Sequence, residues 1–344
     1  MREFNTYKVY SLLIAILLIS IITSLGIGSV IIYPKDIIYS LLTSIPILNY
    51  QADVPDSVII IINQIRLPRI LLAGLVGFAI ALSGATFQAI FKNPLADPYL
   101  IGAASGSALG ATVVLMIIGP IVLLHISILP LASFIGGVSA VGITVIIAFS
   151  SHSLNSNTLI LSGIAVGALA NALTSFIIIS TDPDVRPLLG WLLGSFNTAN
   201  WDKVVVVIPY LIISTILLFN FRRIMNIIQS SDSEAKLVGV DIKKTRYILI
   251  ILSTLLTSVA VSVSGIIGFV GLVAPHTVRL LWGYDYRYLI PFSALLGSIL
   301  LILADSIGRT ILYPQELPVG VITAFIGVPF FIFLIVRGRR TFDG

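Results

Sequence analysis

The chain has 344 residues, of which 57% are hydrophobic and only 10% charged, with a mean hydropathy of +1.08 and a formal net charge of +5. An average soluble domain carries roughly 25% charged residues, so the composition excludes an ordinary soluble fold and points to a chain that crosses a membrane many times. Cysteine is absent, which excludes disulfides and thiolate chemistry, and the basic residues sit in short loops between apolar runs, where membrane orientation accounts for them better than nucleic-acid binding.

Charge-poor runs read as helices give ten spans and an all-α, polytopic fold in one transmembrane domain over residues 1–344. The first five are Tyr10–Ile32, Ile70–Phe91, Tyr99–Ile118, Ile126–Phe149 and Thr158–Ser180. The second five are Val204–Phe221, Tyr247–Val270, Gly271–Trp282, Tyr288–Ile307 and Pro318–Val336. The run after Lys8 is longer than the apolar core of a cleaved signal and no A-x-A-like site follows, so it is expected to remain as a span. Ile70–Phe91 is the clearest span, with 22 uncharged residues. At 1.5 Å per residue such a run extends roughly 33 Å, enough to cross a bilayer. The eighth is short and holds Pro275, so a partly re-entrant helix is expected there.

With the N-terminus inside, 14 of the 20 Lys and Arg residues fall on the inner side and 6 on the outer, so both termini are expected in the cytoplasm. Two connections are long. The outer one, Tyr33–Gln64, contains Pro34, Pro46 and Pro55 and reads as a partly ordered cap. The inner one, Arg222–Arg246, contains Ser231 and Ser233 as candidate caps for a short helix through Glu234-Ala235-Lys236-Leu237 that Gly239 would end. Its apolar residues Ala235, Leu237, Val238 and Val240 suit it to lie against another surface; a solvated linker is the other reading.

Small residues recur at helical spacing: Gly74, Gly77, Ala81 and Gly84, then Gly102, Ala103, Gly106 and Gly110, then Gly163, Gly167 and Ala170. Such faces let membrane helices pack closely. Ser83-Gly84 followed by Pro94 recurs as Ser264-Gly265 followed by Pro275 in a span of opposite direction, which suggests an inverted internal repeat of the kind that builds transporter cores.

No catalytic constellation is visible. His125, His152 and His276 are too scattered for a metal site, and no G-x-x-x-x-G-K-[ST] is present, so ATP would be hydrolysed by another subunit. Asp305 is the one acid inside a span, four residues before Arg309: a local ion pair or, more sharply, an ion-coupling site. Arg66, Arg69 and Arg309 lie on the outer side against the orientation trend. They are either snorkelling anchors or guanidinium groups offered to carboxylates of an external partner.

RLPRILLAGLVGFAIALSG, Gln88, NPLADP, IGAASGSALGA, GIIGFVGLVAPHTVRLLWG, Leu289-Ile290-Pro291, LILADSIGR and ELPVGVITAFIGVPFF resemble the permease subunits of the iron-siderophore, heme and cobalamin importers of the ATP-binding-cassette class, over about Arg66–Arg337. That resemblance implies a ten-helix permease that pairs with a second copy or close relative, above two ATPase subunits and below a substrate-binding protein. It implies that Arg66, Arg69 and Arg309 dock the binding protein. Ser233, Glu234, Ala235, Lys236, Leu237, Gly239 and Val240 would couple to the ATPase, and Asn93, Leu95, Ser156 and Asn157 would form the inner gate. The permease would bind no metal or cofactor of its own, and ATP would stay with the partner. An ion-coupled secondary transporter using Asp305 is the competing reading.

Overall fold

A computed structural model describes residues 5–28, 30–43, 54–119, 122–123, 126–150, 156–181 and 184–342. The helices in chain order are α1 (Thr6–Gly26), α2 (Pro34–Thr43), α3 (Asp56–Ile60), α4 (Leu67–Phe91), α5 (Ala103–Thr112), α6 (Ile128–Ser150), α7 (Ser156–Ser180) and α8 (Arg186–Leu192). They continue as α9 (Trp201–Asn220), α10 (Arg222–Ser230), α11 (Asp232–Leu237), α12 (Ile242–Ser264), α13 (Val270–Trp282), α14 (Tyr286–Gly308) and α15 (Val319–Phe342). A π-helical turn, Ile61–Arg66, joins α3 to α4 without a break, and another, Val113–Ile118, extends α5. Among the described residues, Val122–Leu123 pairs antiparallel with Ile126–Ser127, two residues each.

Among the described residues, seven helices are long and apolar enough to cross a membrane, and Ala103–Ile118 and Val319–Leu334 are shorter apolar helices. Their burial sorts them into layers. The most apolar windows of α3–α4 and α12 are both 78% buried, and that of α14 is 67%, against 28% for α1 and α9 and 33% for α7. The first three are therefore the centre, and the others spend their apolar surface on lipid, where it costs nothing.

Small residues set the spacing of the centre. A Cβ on Gly77 of α4 would lie 2.3 Å from the Gly297 carbonyl oxygen of α14, and one on Gly297 would lie 2.4 Å from that of Gly77. Any side chain there would force the two helices apart. The packing reading of the glycine stripe holds here and again between α5 and α6, where Gly106 and Gly136 face each other in the same way. Hydroxyls add polar ties: Ser83 lies 2.6 Å from Thr257, and Ser298 donates to the Gly74 carbonyl at 2.9 Å.

Two expected elements shift. The seventh span stops at Ser264 rather than Val270, because Gly265 takes a positive φ of 73° and turns the chain out of the helix. The following residues as far as Phe269 are unwound. The eighth span is helical straight through Pro275. Proline cannot donate to the Gly271 carbonyl one turn before it, and Gln88 Nε2 of α4 supplies that bond instead at 3.1 Å. The same amide lies 3.3 Å from the Ala96 carbonyl, so Gln88 ties the NPLADP break to α13.

The apparent repeat also changes character. Gly84 lies inside α4, whereas Gly265 ends α12, so the equal spacing does not mark equivalent positions. The outer connection is ordered where described: Asn63 Nδ2 donates to the Ser40 carbonyl at 3.1 Å, which fastens α2 to the π turn.

Candidate functional site

Polar side chains concentrate at the two ends of the central helices. At the end expected to lie outside, Arg69 in the first turn of α4 meets Asp305 in the last turn of α14. Its Nη2 lies 2.9 Å from Oδ1 and its Nε 3.1 Å from both carboxylate oxygens. Arg69 also holds Glu316 at 2.9 Å and the Asn197 side-chain oxygen at 3.2 Å. Arg309 approaches the far side of the same carboxylate, Nε to Oδ2 3.1 Å, without the alignment of a hydrogen bond. Its Nη2 donates to the Ser24 hydroxyl at 2.7 Å. Arg66 reaches back to the end of α1, donating to the Leu25 carbonyl at 2.6 Å and to the Val30 carbonyl.

These contacts correct the expected exposure of the three arginines. Arg66, Arg69 and Arg309 are 5%, 9% and 6% exposed, and their guanidinium groups are turned inward onto partners within the chain. The physical reason is cost: a guanidinium at a packed helix end needs a carboxylate or several carbonyls, and the fold brings both. The local Asp305–Arg309 pair is present, yet Arg69, 236 residues away in sequence, is the better-aligned partner. With guanidinium groups on both sides of the carboxylate, the position an ion would take at Asp305 is already filled.

At the opposite end, α4 closes on Lys92 in a left-handed conformation (φ 53°). The Lys92 and Asn93 N–H groups satisfy the Ala89 and Gln88 carbonyls at 3.3 and 3.2 Å. The Lys92 ammonium then binds Asp232, the first residue of α11, at 2.9 Å, and Arg246 of α12 binds the same carboxylate at 3.1 Å. Although partial burial pushes the Asp232 carboxyl up, the two cations win and hold it below the usual carboxylate range.

The α11 helix follows its local rules. Ser231 caps it, accepting from Ser233 N–H at 3.2 Å. Gly239 ends it at φ 78°, with Gly239 N–H on the Lys236 carbonyl and Val240 N–H on the Ala235 carbonyl, both at 3.0 Å. The expected single apolar face is divided. Ala235 is fully buried in a small cluster with Ile228 and Ile242, and Val240 packs beside it. Leu237 and Val238 are 86% and 63% exposed. Residues two apart on a helix do not share a face, so burying Ala235 turns Leu237 outward. Ser233, Glu234 and Lys236 lie on the same short element, all on its solvent side. The preceding α10 is pinned separately, because Asn226 Nδ2 donates to Asp285, the cap of α14, at 2.8 Å.

Of the residues expected at a gate, Asn93 and Leu95 are exposed in the break after α4, where Asn93 Oδ1 accepts from Leu95 N–H at 2.9 Å. Ser156 at the start of α7 is brought to the same place, its hydroxyl 3.4 Å from the Ile90 carbonyl. Asn157 is exposed beside it. In the same break Asp97 caps the 3-10 turn Pro98–Ile101 through Tyr99 N–H at 2.7 Å. Neighbours enclose its carboxyl although part of the residue surface is open. That burial pushes the group up to about 6 against the pull of the Tyr99 N–H. His125 and His152 lie outside the described residues, and His276 sits edge-on to Phe330 at 5.8 Å. Among the described residues no three His, Cys, Asp or Glu side chains come together as a metal site would need.

The model of the FecCD transport family matches residues 16–337. The chain belongs to that family. It is 39% identical over 285 residues to the cobalamin import system permease protein BtuC of Halobacterium salinarum, covering 83% of this chain and 76% of that protein. It is 39% identical over 290 residues to the hemin transport system permease protein HmuU of Yersinia pestis, covering 82% and 84%. Its fold matches a solved inward-facing structure of a transporter assigned to the metal-chelate ABC type, with TM-score 0.81, 31% identity and coverage of 97% and 100%. This FecCD-family chain is a transport permease, a multi-pass protein of the cell membrane. The sequence reading missed three ties at its helix ends: Arg69 to Asp305, Lys92 to Asp232 and Asn226 to Asp285. Each joins residues far apart in the chain, and no local periodicity signals such pairs.

Proposed function

We propose that this FecCD-family permease carries a metal chelate (a ferric siderophore, heme or a corrinoid) across the cell membrane in ten crossings with both termini inside. It acts as one transmembrane domain paired with a second copy or close relative. Two ATPase subunits bind its inner face, an external substrate-binding protein docks on its outer face, and neither nucleic acid nor a resident cofactor takes part. An inverted relation between its two halves is kept as part of this proposal.

The observation that carries the reading is α11, a helix fastened through Asp232 and Ala235 with Leu237 and Val238 left bare. Asp232 is held by Lys92 and Arg246 while Leu237 and Val238 face outward. Exposed leucine and valine at the end of a clamped helix are what an apolar groove on another subunit would receive. ATP bound by that subunit would move α11. Through Lys92 the movement would reach the NPLADP break, where Asn93, Leu95, Ser156 and Asn157 form the proposed gate.

On the outer face the inward-turned arginines do not present themselves. Arg66, Arg69 and Arg309 instead fix the loop that carries Glu316 and the end of α1, and so build the platform on which the binding protein docks. The competing carrier that couples ions through Asp305 loses its motive, because Arg69 and Arg309 already neutralise that carboxylate.

Leu237→Asp tests the proposal. Leu237 makes no buried contact within the chain, so the variant should insert and fold as the parent does. Burying an unpaired neutral polar group costs about 1–3 kcal/mol and an unpaired carboxylate more, so the variant should lose copurification with the ATPase. Full ATPase recovery with Leu237→Asp would remove α11 from the interface.

A further inference from the structure

The seam between α6 and α12 is pinched at one point and open below it. A Cβ on Gly137 of α6 would lie 2.8 Å from the Ser258 hydroxyl of α12 and 2.4 Å from that of Ser107 on α5, so the helices meet tightly there. Toward the Ser150 end of α6 they diverge around a groove of about 400 Å³, walled by Val141, Val145 and Ile146 on one side and Tyr247 and Ile251 on the other. Gly142 opens its floor, since an added Cβ there would meet nothing within 4 Å.

Both walls belong to membrane-crossing helices, and the neighbouring Ile143 and Ile147 are 50% and 45% exposed, so the groove faces the hydrocarbon. Tyr247 closes the end of the groove, edge-on to Phe149 at 5.9 Å. Tyrosine prefers the level where chains meet headgroups. One helical turn beyond it, on the same face of α12, stands Lys243, exposed and beside the exposed Lys244. Among the described residues no carboxylate pairs with Lys243.

We propose that this groove binds an acidic phospholipid, with one acyl chain between α6 and α12 and its phosphate against Lys243. An apolar slot that opens sideways into a bilayer is filled by what the bilayer supplies, and a chain in the slot restores contacts that the bare walls lack. Lys243 at its mouth has no carboxylate ion pair among the described residues, which selects a negative headgroup over a zwitterionic one. Placing the lipid in the inner leaflet rests on the orientation proposed above; the groove and its charge do not.

The full-length permease, stripped of lipid in detergent, is mixed with phosphatidylglycerol or phosphatidylcholine of matched chains, and bound lipid is counted by native mass spectrometry. Wild type should retain phosphatidylglycerol several-fold better. Lys243→Gln should erase that preference and leave chain binding. Gly142→Leu, whose Cβ meets nothing within 4 Å, should reduce retention of both lipids several-fold while the stripped protein unfolds at the wild-type temperature. Equal retention of the two lipids by wild type, or undiminished retention by Gly142→Leu, overturns the site. A disulfide between two copies of Ile146→Cys that phosphatidylglycerol does not suppress would assign the groove to a second permease and also overturn it. Lipid binding as expected, together with external labelling of Lys243→Cys, would overturn the proposed orientation and keep the site.

Discussion

Asp305→Asn is the sharpest perturbation of the outer cluster. The carboxylate is 1% exposed and lies 2.9 Å from Arg69 and 3.1 Å from Arg309. Asparagine keeps the volume and one acceptor oxygen, removes the charge, and sets an NH2 donor where the second oxygen accepted. Arg69 would then retain Glu316, whose side chain is 35% exposed, and Arg309 would retain Ser24 and the Ile27 carbonyl. Removing one partner of a buried ion pair costs about 3–5 kcal/mol, because the charge left behind stays buried. Glu316 and the neutral acceptors soften that loss, so we expect about 3 kcal/mol, the lower end of the range. An exposed pair would cost about 1 kcal/mol or less, so the two cases are distinct.

The assay is a denaturing-detergent titration of the solubilised permease, followed by tryptophan fluorescence and protease resistance. The charge-balanced double variant, Asp305→Asn with Arg309→Gln, removes one acid and one base together. It should be more stable than the sum of the two single losses predicts, since contacting charges couple. A loss below about 1 kcal/mol for the single variant, the range of an exposed pair, would refute the buried weld. Strict additivity of the two changes would refute it as well.

Two further outcomes follow from the same geometry. Gly77→Val places a Cβ 2.3 Å from the Gly297 carbonyl oxygen, so overpacking should cost about 1–3 kcal/mol or more, and folded yield should fall sharply while Gly142→Val is tolerated. Asp97 titrates near 6 in the folded chain, above its unfolded value near 4, so its stabilising protonated form is fully present below pH 4 and is lost as pH rises through 6. Asp97→Asn keeps the acceptor for Tyr99 N–H and should flatten unfolding temperature against pH between 4 and 6; an unchanged slope would remove Asp97 as the source.

What the sequence reveals and what it hides divide by range. The uncharged run Ile70–Phe91 and the glycine stripe at Gly74, Gly77 and Gly84 are read correctly because bilayer thickness and close packing act on local patterns. The same holds for Ser231 and Gly239, which bound α11 through bonds spanning a few residues. The arginines are misjudged for the opposite reason. Whether a guanidinium at a helix end faces water or the interior depends on which carboxylate the fold brings to it, and Asp305 arrives from a different helix. The apolar face of α11 is divided more subtly. Its composition marks an apolar helix, but only the burial of Ala235 against Ile228 decides which side the leucine takes. The end of α12 at Gly265 is hidden too, since an apolar run continues past it and the turn rests on a positive φ that valine or isoleucine nearby could not take.

The two polar ends are mechanically one object. α4 carries Arg69 in its first turn and is followed directly by Lys92, and its 25 residues at 1.5 Å each make a rod of roughly 37 Å. α14 runs beside it, with Asp305 at the outer end and its cap Asp285 at the inner end. Gly77 and Gly297 lock the pair at carbonyl contact, so sliding one helix past the other would drive backbone into backbone. Arg69 and Asp305 weld the rods outside; inside, Lys92 grips α11 and Asp285 grips α10. Under the proposed coupling, a displacement of the α10–α11 segment would therefore not be lost in a loop. It would reach both rods at once, and through them the loop that carries Glu316. Beside α4 the main chain departs from helix in the unwound stretch after Gly265 and in the break at Asn93–Pro98. Under the proposed mechanism those stretches would take up the bending while the paired rods stay intact.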